Sequence, residues 1–224
     1  MRPLGVVVGY HAEARCLVGA GLRVACSGAD AQRARAAARH LCGDGVAGLA
    51  SFGLAGGLAA ELAPGDLLLP PAVLLPDGGR IATDPAWRDR LAAALEKGGL
   101  AARDGPITGS ERIVATRDAK RGLLARTGAV AVDMESHAVA EVAARAGLPF
   151  LVVRAVADRS DQAIPRAALR AVDAQGDLRH LALLGSIIVR PWEIGALLAL
   201  GRSSGRGLAS LRRVAALVPG LGFV

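Results

Sequence analysis

Two apolar runs in this chain stop abruptly at carboxylates. "VAVDME" (residues 130–135) ends in Asp133 and Glu135, and "LVVRAVADRSD" (151–161) leads into Asp158 and Asp161. A third acid, Glu13, follows the apolar run "LGVVVG" (4–9), and glycines crowd "GLAGGL" at 53–58. Carboxylates gathered where strands leave a core can serve as general acids, general bases or stabilisers of a developing cation. Each feature also has a plainer reading. Asp133 fits a cap or dipole partner for a helix starting near residue 135. Asp158 fits a solvated loop acid beside Arg159 and Asp161, and Glu13 a surface helix turn in "HAEAR". Glu135 admits either reading. "GLAGGL" reads as a packing turn, a phosphate nest or a place where a ligand meets backbone. It has neither the Lys-Ser/Thr of a Walker loop nor GxGxxG spacing.

The elements that must position these groups alternate. Strand-like runs occur at 4–9, 22–28 and 45–53, with a helix over 31–42 and extended chain over 64–76 broken by Pro70 and Pro71. Residues 84–99 begin with Asp84 as a candidate N-cap and Pro85 at the first helical position, and end in Gly. "AVAVDM", "ESHAVAEVAARAG" and "PFLVVRAVA" read as strand, helix and strand, implying parallel neighbours joined by a right-handed crossover. Strands delivering their C-terminal ends to one crevice, the two joined by one crossover helix being neighbours or one strand apart, would bring Glu13, the glycine segment, Glu135 and Asp158 together. The expected fold is α/β, a three-layer α/β/α sandwich with a mixed central sheet plus a C-terminal helical extension. Residues 1–177 form the expected domain. Residues 178–224 form an extension of two or three helices broken at Pro191 and at "SSGRG", packed on the domain or at an interface. The extension carries six Arg against one acid, Glu193.

Composition narrows the function classes. The chain has 224 residues, 52% hydrophobic and only 3% aromatic, with a formal charge of +7 carried almost entirely by Arg. No basic stretch is interleaved with aromatics, which argues against nucleic-acid binding. Cys16, Cys26 and Cys42 have no metal-binding spacing and fit free thiols in a reducing compartment. His11, His40, His137 and His180 do not cluster at metal spacing, so no metal site is expected. There is no GxSxG elbow for a serine hydrolase. The first apolar run is too short for a signal peptide, and residues 181–201 are interrupted by Arg190, Pro191 and Glu193. A cytoplasmic protein is expected.

"SFGLAGGL" (51–58), "AVDMESHAVAEVA" (131–143) and "VVRAVADRSD" (152–161) together resemble the signatures of the nucleoside phosphorylase/nucleosidase superfamily, over roughly residues 4–160. Their order and spacing are similar to those of 5′-methylthioadenosine/S-adenosylhomocysteine nucleosidases. The ending from "DQAIPRAALRAVDAQGDLRHLALL" onward is similar to that of the hopanoid-associated phosphorylase group, thought to remove adenine from adenosylhopane. The resemblance implies cleavage of an N-glycosidic bond through an oxocarbenium-like state. It makes Asp158 the acid at adenine N7, Glu135 the acceptor from ribose hydroxyls, and Glu13 the group that orients the attacking water or a ribose hydroxyl. Met134 would pack beneath the sugar, Ile113 and Val114 would frame the purine, and Leu54, Ala55 and Gly56 would lie close to the nucleophile. No cofactor is implied, with phosphate as an optional co-substrate. The resemblance further implies a homodimer and a lipid-linked adenosine substrate met at the inner membrane face through the extension.

This chain departs from the pattern in three places. The nucleosidases have Ser where Ala157 stands and Ser where Leu54 stands, and the hexameric purine nucleoside phosphorylases have a phosphate-binding Arg where Ser51 stands. Either Arg15 or Arg112 supplies that charge, or water is the nucleophile. The same chemistry on methylthioadenosine, S-adenosylhomocysteine or a free purine nucleoside is the second reading. A non-catalytic nucleoside- or lipid-binding protein on the same fold is the third.

Overall fold

The computed structural model describes residues 2–17, 21–170 and 191–222. Its centre is strand β3 (Leu49–Gly57), which every other part of the site is placed against. The N-terminal half of β3 pairs with parallel β1 (Gly5–Val8), itself parallel to β2 (Arg23–Cys26). Along its other edge β3 pairs in parallel with β10 (Phe150–Asp158), from Leu49 opposite Phe150 to Gly56 opposite Asp158. Short strands extend the sheet: β4 (Leu67–Leu68), β5 (Ala72–Leu74), β6 (Arg80–Ala82), β7 (Ala102–Arg103), β8 (Ile107–Gly109) and β9 (Ala131–Asp133). Ten strands form one mixed sheet.

Helices cover both faces. Alternation along the strands sends Val7, Val152 and Val156 into one apolar layer with α2 (Ala31–Gly43) and α5 (Ser136–Ala146). It sends Val6, Val8, Ala50, Phe52, Leu151 and Val153 into the other, with α3 (Pro85–Lys97) and the C-terminal helix. This is the three-layer α/β/α arrangement, and it explains why a core almost without aromatics suffices: small side chains let the layers approach closely. Local signals hold where they are simple. Asp30, Asp84 and Thr116 cap α2, α3 and α4 (Arg117–Thr127) by accepting from backbone N–H groups three residues on. Gly147 closes α5 in the left-handed region at φ 63°.

Three expectations need correction. First, β9 and β10 stand one strand apart, on either side of β3, but they are not parallel: β9 is antiparallel to β3 through Gly56–Val132 and Gly57–Ala131. The acids still converge, because β9 is short and meets β3 only at its C-terminal end. Second, "GLAGGL" is not a loop; β3 runs through Gly57, since β10 and β9 supply it with partners on both sides. Third, the ending is not broken at "SSGRG". After a short α6 (Arg166–Arg170), helix α7 (Ile194–Leu217) runs unbroken through residues 203–207. Packing overrides the helix-weakening glycines there: Gly207 lets α7 sit against β10, where a Cβ would lie 3.1 Å from the Val156 carbonyl. The part of the extension over 178–190 lies outside the described residues.

The helix α7 is bound by its C-terminal half. Leu211 and Val214 are buried, and the Trp87 indole N–H of α3 donates to the Leu221 carbonyl at 2.7 Å. Among the described residues, no helix is long and apolar enough to cross a membrane. None of Cys16, Cys26 and Cys42 is joined in a disulfide. Replacing Leu211 by Ala is expected to lower unfolding free energy in urea titration by about 2–5 kcal/mol. Leu198→Ala, at a position 55% exposed, is expected to stay within about 0.5 kcal/mol of the parent.

Candidate active site

The site grows from one residue that the pattern of β10 would have made apolar. Arg154 lies in the middle of "FLVVRAVAD", is fully buried, and points to the α5 side with Val152 and Val156. A buried guanidinium needs acceptors, and both terminal nitrogens find them although the buried Nε has none. Its Nη2 pairs with Asp133 and donates to Ser51 Oγ at 2.7 Å, and to Ser136 Oγ and Glu135 Oε2 at 3.1 Å each. Nη1 reaches the Leu54 carbonyl at 3.5 Å. Asp133 in turn accepts from the backbone N–H and hydroxyl of Ser136. It is thus both the cap of α5 and the counter-charge of Arg154.

Glu13 belongs to the same cluster. It sits on the single-turn helix α1 (His11–Ala14), 1% exposed, so it is no surface turn. Its Oε2 accepts from the N–H groups of Gly9 and Tyr10 at 2.8 Å, and Oε1 accepts from Leu54 N–H at 2.7 Å. The carboxylate therefore ties the exit of β1 to β3. Two glycines make the assembly possible. A Cβ at Gly53 would lie 2.5 Å from Arg154 Nη1 and 2.6 Å from Glu13 Oε1, and one at Gly9 would lie 2.9 Å from Glu135 Oε1.

Three carboxylates thus share one guanidinium. Burial pushes Glu13 upward against the pull of Arg154 and its three N–H donors. Burial pushes Glu135 up to about 8, with Asp133 and Glu13 adding to the rise and Arg154 opposing it. The Tyr10 phenol is also raised, by burial and then by the charges of Glu135 and Glu13. This corner is protein-walled, short of positive charge, and able to hold protons.

Asp158 is the last residue of β10, the strand that carries Arg154. A register shift between Val156 and Asp158 re-aims the end of β10, and the carboxylate settles over Gly56, whose Cβ position is 3.5 Å from Oδ1. It is 4% exposed, which removes the solvated-loop reading. Its partner is the fully buried Lys120 of α4, which also donates to the carbonyls of Arg159 at 2.6 Å and Gln162 at 2.9 Å. Burial raises Asp158 and Lys120 opposes that rise.

The remaining expected residues are more dispersed. Leu54 brings its backbone to Glu13 and Arg154, while its side chain turns to α7, where a Cβ on Gly207 would lie 2.6 Å from Cδ2. Ala55 faces the α5-side core and Gly56 lies beneath Asp158. Met134 is half-buried between Asp133 and Glu135. Ile113 is exposed and lines a cavity of about 330 Å3 with Arg112, Val114, Asp118 and Leu123, which Glu13, Glu135 and Asp158 do not line. Arg15 and Arg112 are both exposed, outside the buried cluster. His137, buried against Gly109, pairs through Nε2 with Glu111 at 3.2 Å. Among the described residues, no group of His, Cys, Asp and Glu is arranged to hold a metal ion.

Sequence reasoning gave no role to Arg154, Lys120, Ser51, Ser136 or Tyr10. A signal existed for Arg154, the one basic residue in a nine-residue buried strand. Lys120 had none, since it sits in a polar helix like its exposed neighbours.

A family model described as the phosphorylase superfamily matches residues 6–184, and the chain belongs to that superfamily. No curated protein matches it. Among solved structures, futalosine hydrolase of Helicobacter pylori is 16% identical with TM-score 0.71, covering 97% of this chain and 98% of that one. The 5′-methylthioadenosine/S-adenosylhomocysteine nucleosidase of Helicobacter pylori is 17% identical with TM-score 0.72, covering 97% and 99%. S-adenosylhomocysteine nucleosidase from Streptococcus pyogenes is 18% identical with TM-score 0.70, covering 97% and 98%. At such identities the likeness is one of fold.

Because Glu135 binds its proton up to about pH 8 in the folded protein and a free Glu only to about 4.3, folding takes up protons between these values. The cluster's contribution is full below the lower value and is lost as pH rises through about 8. Glu135→Gln should therefore gain stability over the parent as pH rises from 5 to 8, read by urea unfolding at each pH. A constant difference would contradict the elevated affinity for a proton.

Proposed function

We propose that this member of the phosphorylase superfamily cleaves the N-glycosidic bond of an adenosine-type nucleoside, with adenosylhopane as substrate. The observation that carries the reaction class is the gathering of buried acids from α1, the start of α5 and the end of β10 beside β3. Glu13 and Glu135 stand in the cluster around Arg154, and Asp158 stands apart with Lys120. Breaking such a bond leaves positive charge on the ribose ring and negative charge on the purine. Carboxylates at the ring favour the first, and a proton on Asp158 given to N7 favours the second. Glu135 accepts from the ribose hydroxyls, Glu13 orients the nucleophile, Met134 packs beneath the sugar and Ile113 and Val114 frame the base. Leu54, Ala55 and Gly56 line the approach to C1′, the first through its backbone.

Water is the nucleophile in this reading. Arg154 is already held by Asp133 and Glu135, so the cluster offers no free guanidinium to bind a phosphate dianion. The lipid-linked substrate is supported by the apolar, Arg-bearing start of α7, where Trp192 is 73% exposed and Ile194, Leu198 and Arg202 are exposed beside it. Such a surface suits peripheral contact with the inner face of a membrane. We take the protein to be a cytoplasmic homodimer with no cofactor. The whole-length likeness of fold to methylthioadenosine/S-adenosylhomocysteine nucleosidases favours a second reading, the same chemistry on those soluble nucleosides.

Adenine release from adenosylhopane and from methylthioadenosine, each with and without phosphate, separates these readings. Release from adenosylhopane without a phosphate requirement is the expected result. Release from methylthioadenosine alone would move the assignment to the soluble nucleosides, and phosphate dependence would overturn hydrolysis. Release from neither would leave a nucleoside- or lipid-binding protein. Asp158→Asn is expected to lower kcat by about 10²–10⁴-fold while leaving nucleoside binding within a few fold; unchanged kcat would remove Asp158 as the acid.

A further inference from the structure

The reaction above needs an acid that holds a proton until the bond breaks and then surrenders it. Burial alone makes Asp158 a reluctant donor, because its conjugate carboxylate would be left uncompensated in a dry site. The structure places one cation against it. Lys120 is 0% exposed, and each of its three N–H donors is spoken for: Asp158 Oδ2 and the carbonyls of Arg159 and Gln162. The two carbonyls fix the ammonium at the end of β10. They are neutral, so the single charge they position acts on Asp158.

Other charges around Asp158 are engaged elsewhere. Arg159 pairs with Asp161 at 3.0 Å in the loop that follows, and Asp66 before β4 pairs with Arg103 at 3.6 Å. On β10 itself, Arg154 is held by Asp133 and Glu135. Arg206 of α7 lies beside Gly65. Lys120 is the charged side chain whose field acts on Asp158.

We propose that Lys120 is a positioning residue that completes the general acid, stabilising the carboxylate that Asp158 becomes as it protonates the leaving base. This inference rests on the nucleoside-cleaving reading. As C1′–N9 breaks, its electron pair passes into the purine and the Asp158 proton moves to N7. The Asp158–Lys120 ion pair is then the product of the step, and solvent returns the proton once adenine leaves. Lys120 keeps its proton throughout. The opposing pulls of burial and ammonium set the acid between too weak to donate and too strong to stay protonated.

The alternative role, a staple for residues 159–162, predicts different behaviour. Lys120→Gln keeps an N–H donor for the carbonyls and removes the charge. The expected result is a fall in kcat of about tenfold or more with a smaller change in KM. The basic limb of the kcat profile should move up by about one pH unit, since each unit of acidity corresponds to tenfold in the proton equilibrium. Lys120→Arg, which retains the charge, should hold the limb near the parent's. A Lys120→Gln limb superimposed on the parent's would overturn the proposal and leave only the staple.

If the variant does not fold, the parent itself answers. Lys97 and Lys120 are the only lysines, so 15N-lysine labelling gives two side-chain signals. The Lys120 ammonium should show an inflection at the midpoint of the basic limb, and exposed Lys97 should not. A flat Lys120 signal across that range would overturn the coupling. If the parent releases base from no nucleoside while its Lys120 signal still reports the titration of Asp158, the nucleoside-cleaving reading fails and the coupled pair stands.

Discussion

Everything at this site depends on housing one guanidinium inside a sheet. Arg154 occupies a strand position whose neighbours, Val152 and Val156, are part of the apolar layer. Leaving its charge unpaired there would cost several kcal/mol, and the surrounding chain is arranged so that it is paired. Ser51 from β3, Asp133 at the end of β9, and Glu135 and Ser136 at the start of α5 all turn toward it. Gly9 and Gly53 omit the side chains that would fill the same space. Glu13, held by its own three backbone donors, completes the shell, and its link to the guanidinium is the field between them.

The result is two charged poles, one around Arg154 and one at Asp158 where the same strand ends. In the first, three acids surround one cation; in the second, a single carboxylate faces a single ammonium. The first pole suits a substrate part that becomes positive, the second a part that becomes negative. Both are fixed in rigid elements before any substrate arrives, which is the condition under which electrostatic stabilisation needs no reorganisation.

Much of this was legible in the chain, for physical reasons. Caps such as Asp84 and the closing Gly147 act through local hydrogen bonds and dihedrals, so their signals survive in sequence. The acids at 133, 135 and 158 stood out because they end apolar runs. What escaped was non-local. That β9 runs antiparallel to β3 is decided by where a three-residue strand finds open hydrogen-bonding edge, and no short pattern records it. The glycines of 53–57 look like a loop until β9 and β10 are present on both edges. Helix α7 passes through "SSGRG" because Leu211 and Val214 anchor it beyond, which outweighs the weak propensity of the glycines. Lys120 is visible only once α4 is laid against the end of β10.

The central claim is that the ring-side pole is built for a developing cation. It is tested most directly by calorimetric binding of two adenosine mimics, one with a cationic nitrogen in the sugar ring and one with a neutral ring of the same shape. The expected result is tighter binding of the cation by about a hundredfold or more, the lower bound typical of transition-state mimicry. Equal affinity for the two would contradict the assignment of Glu13 and Glu135 to the reacting sugar.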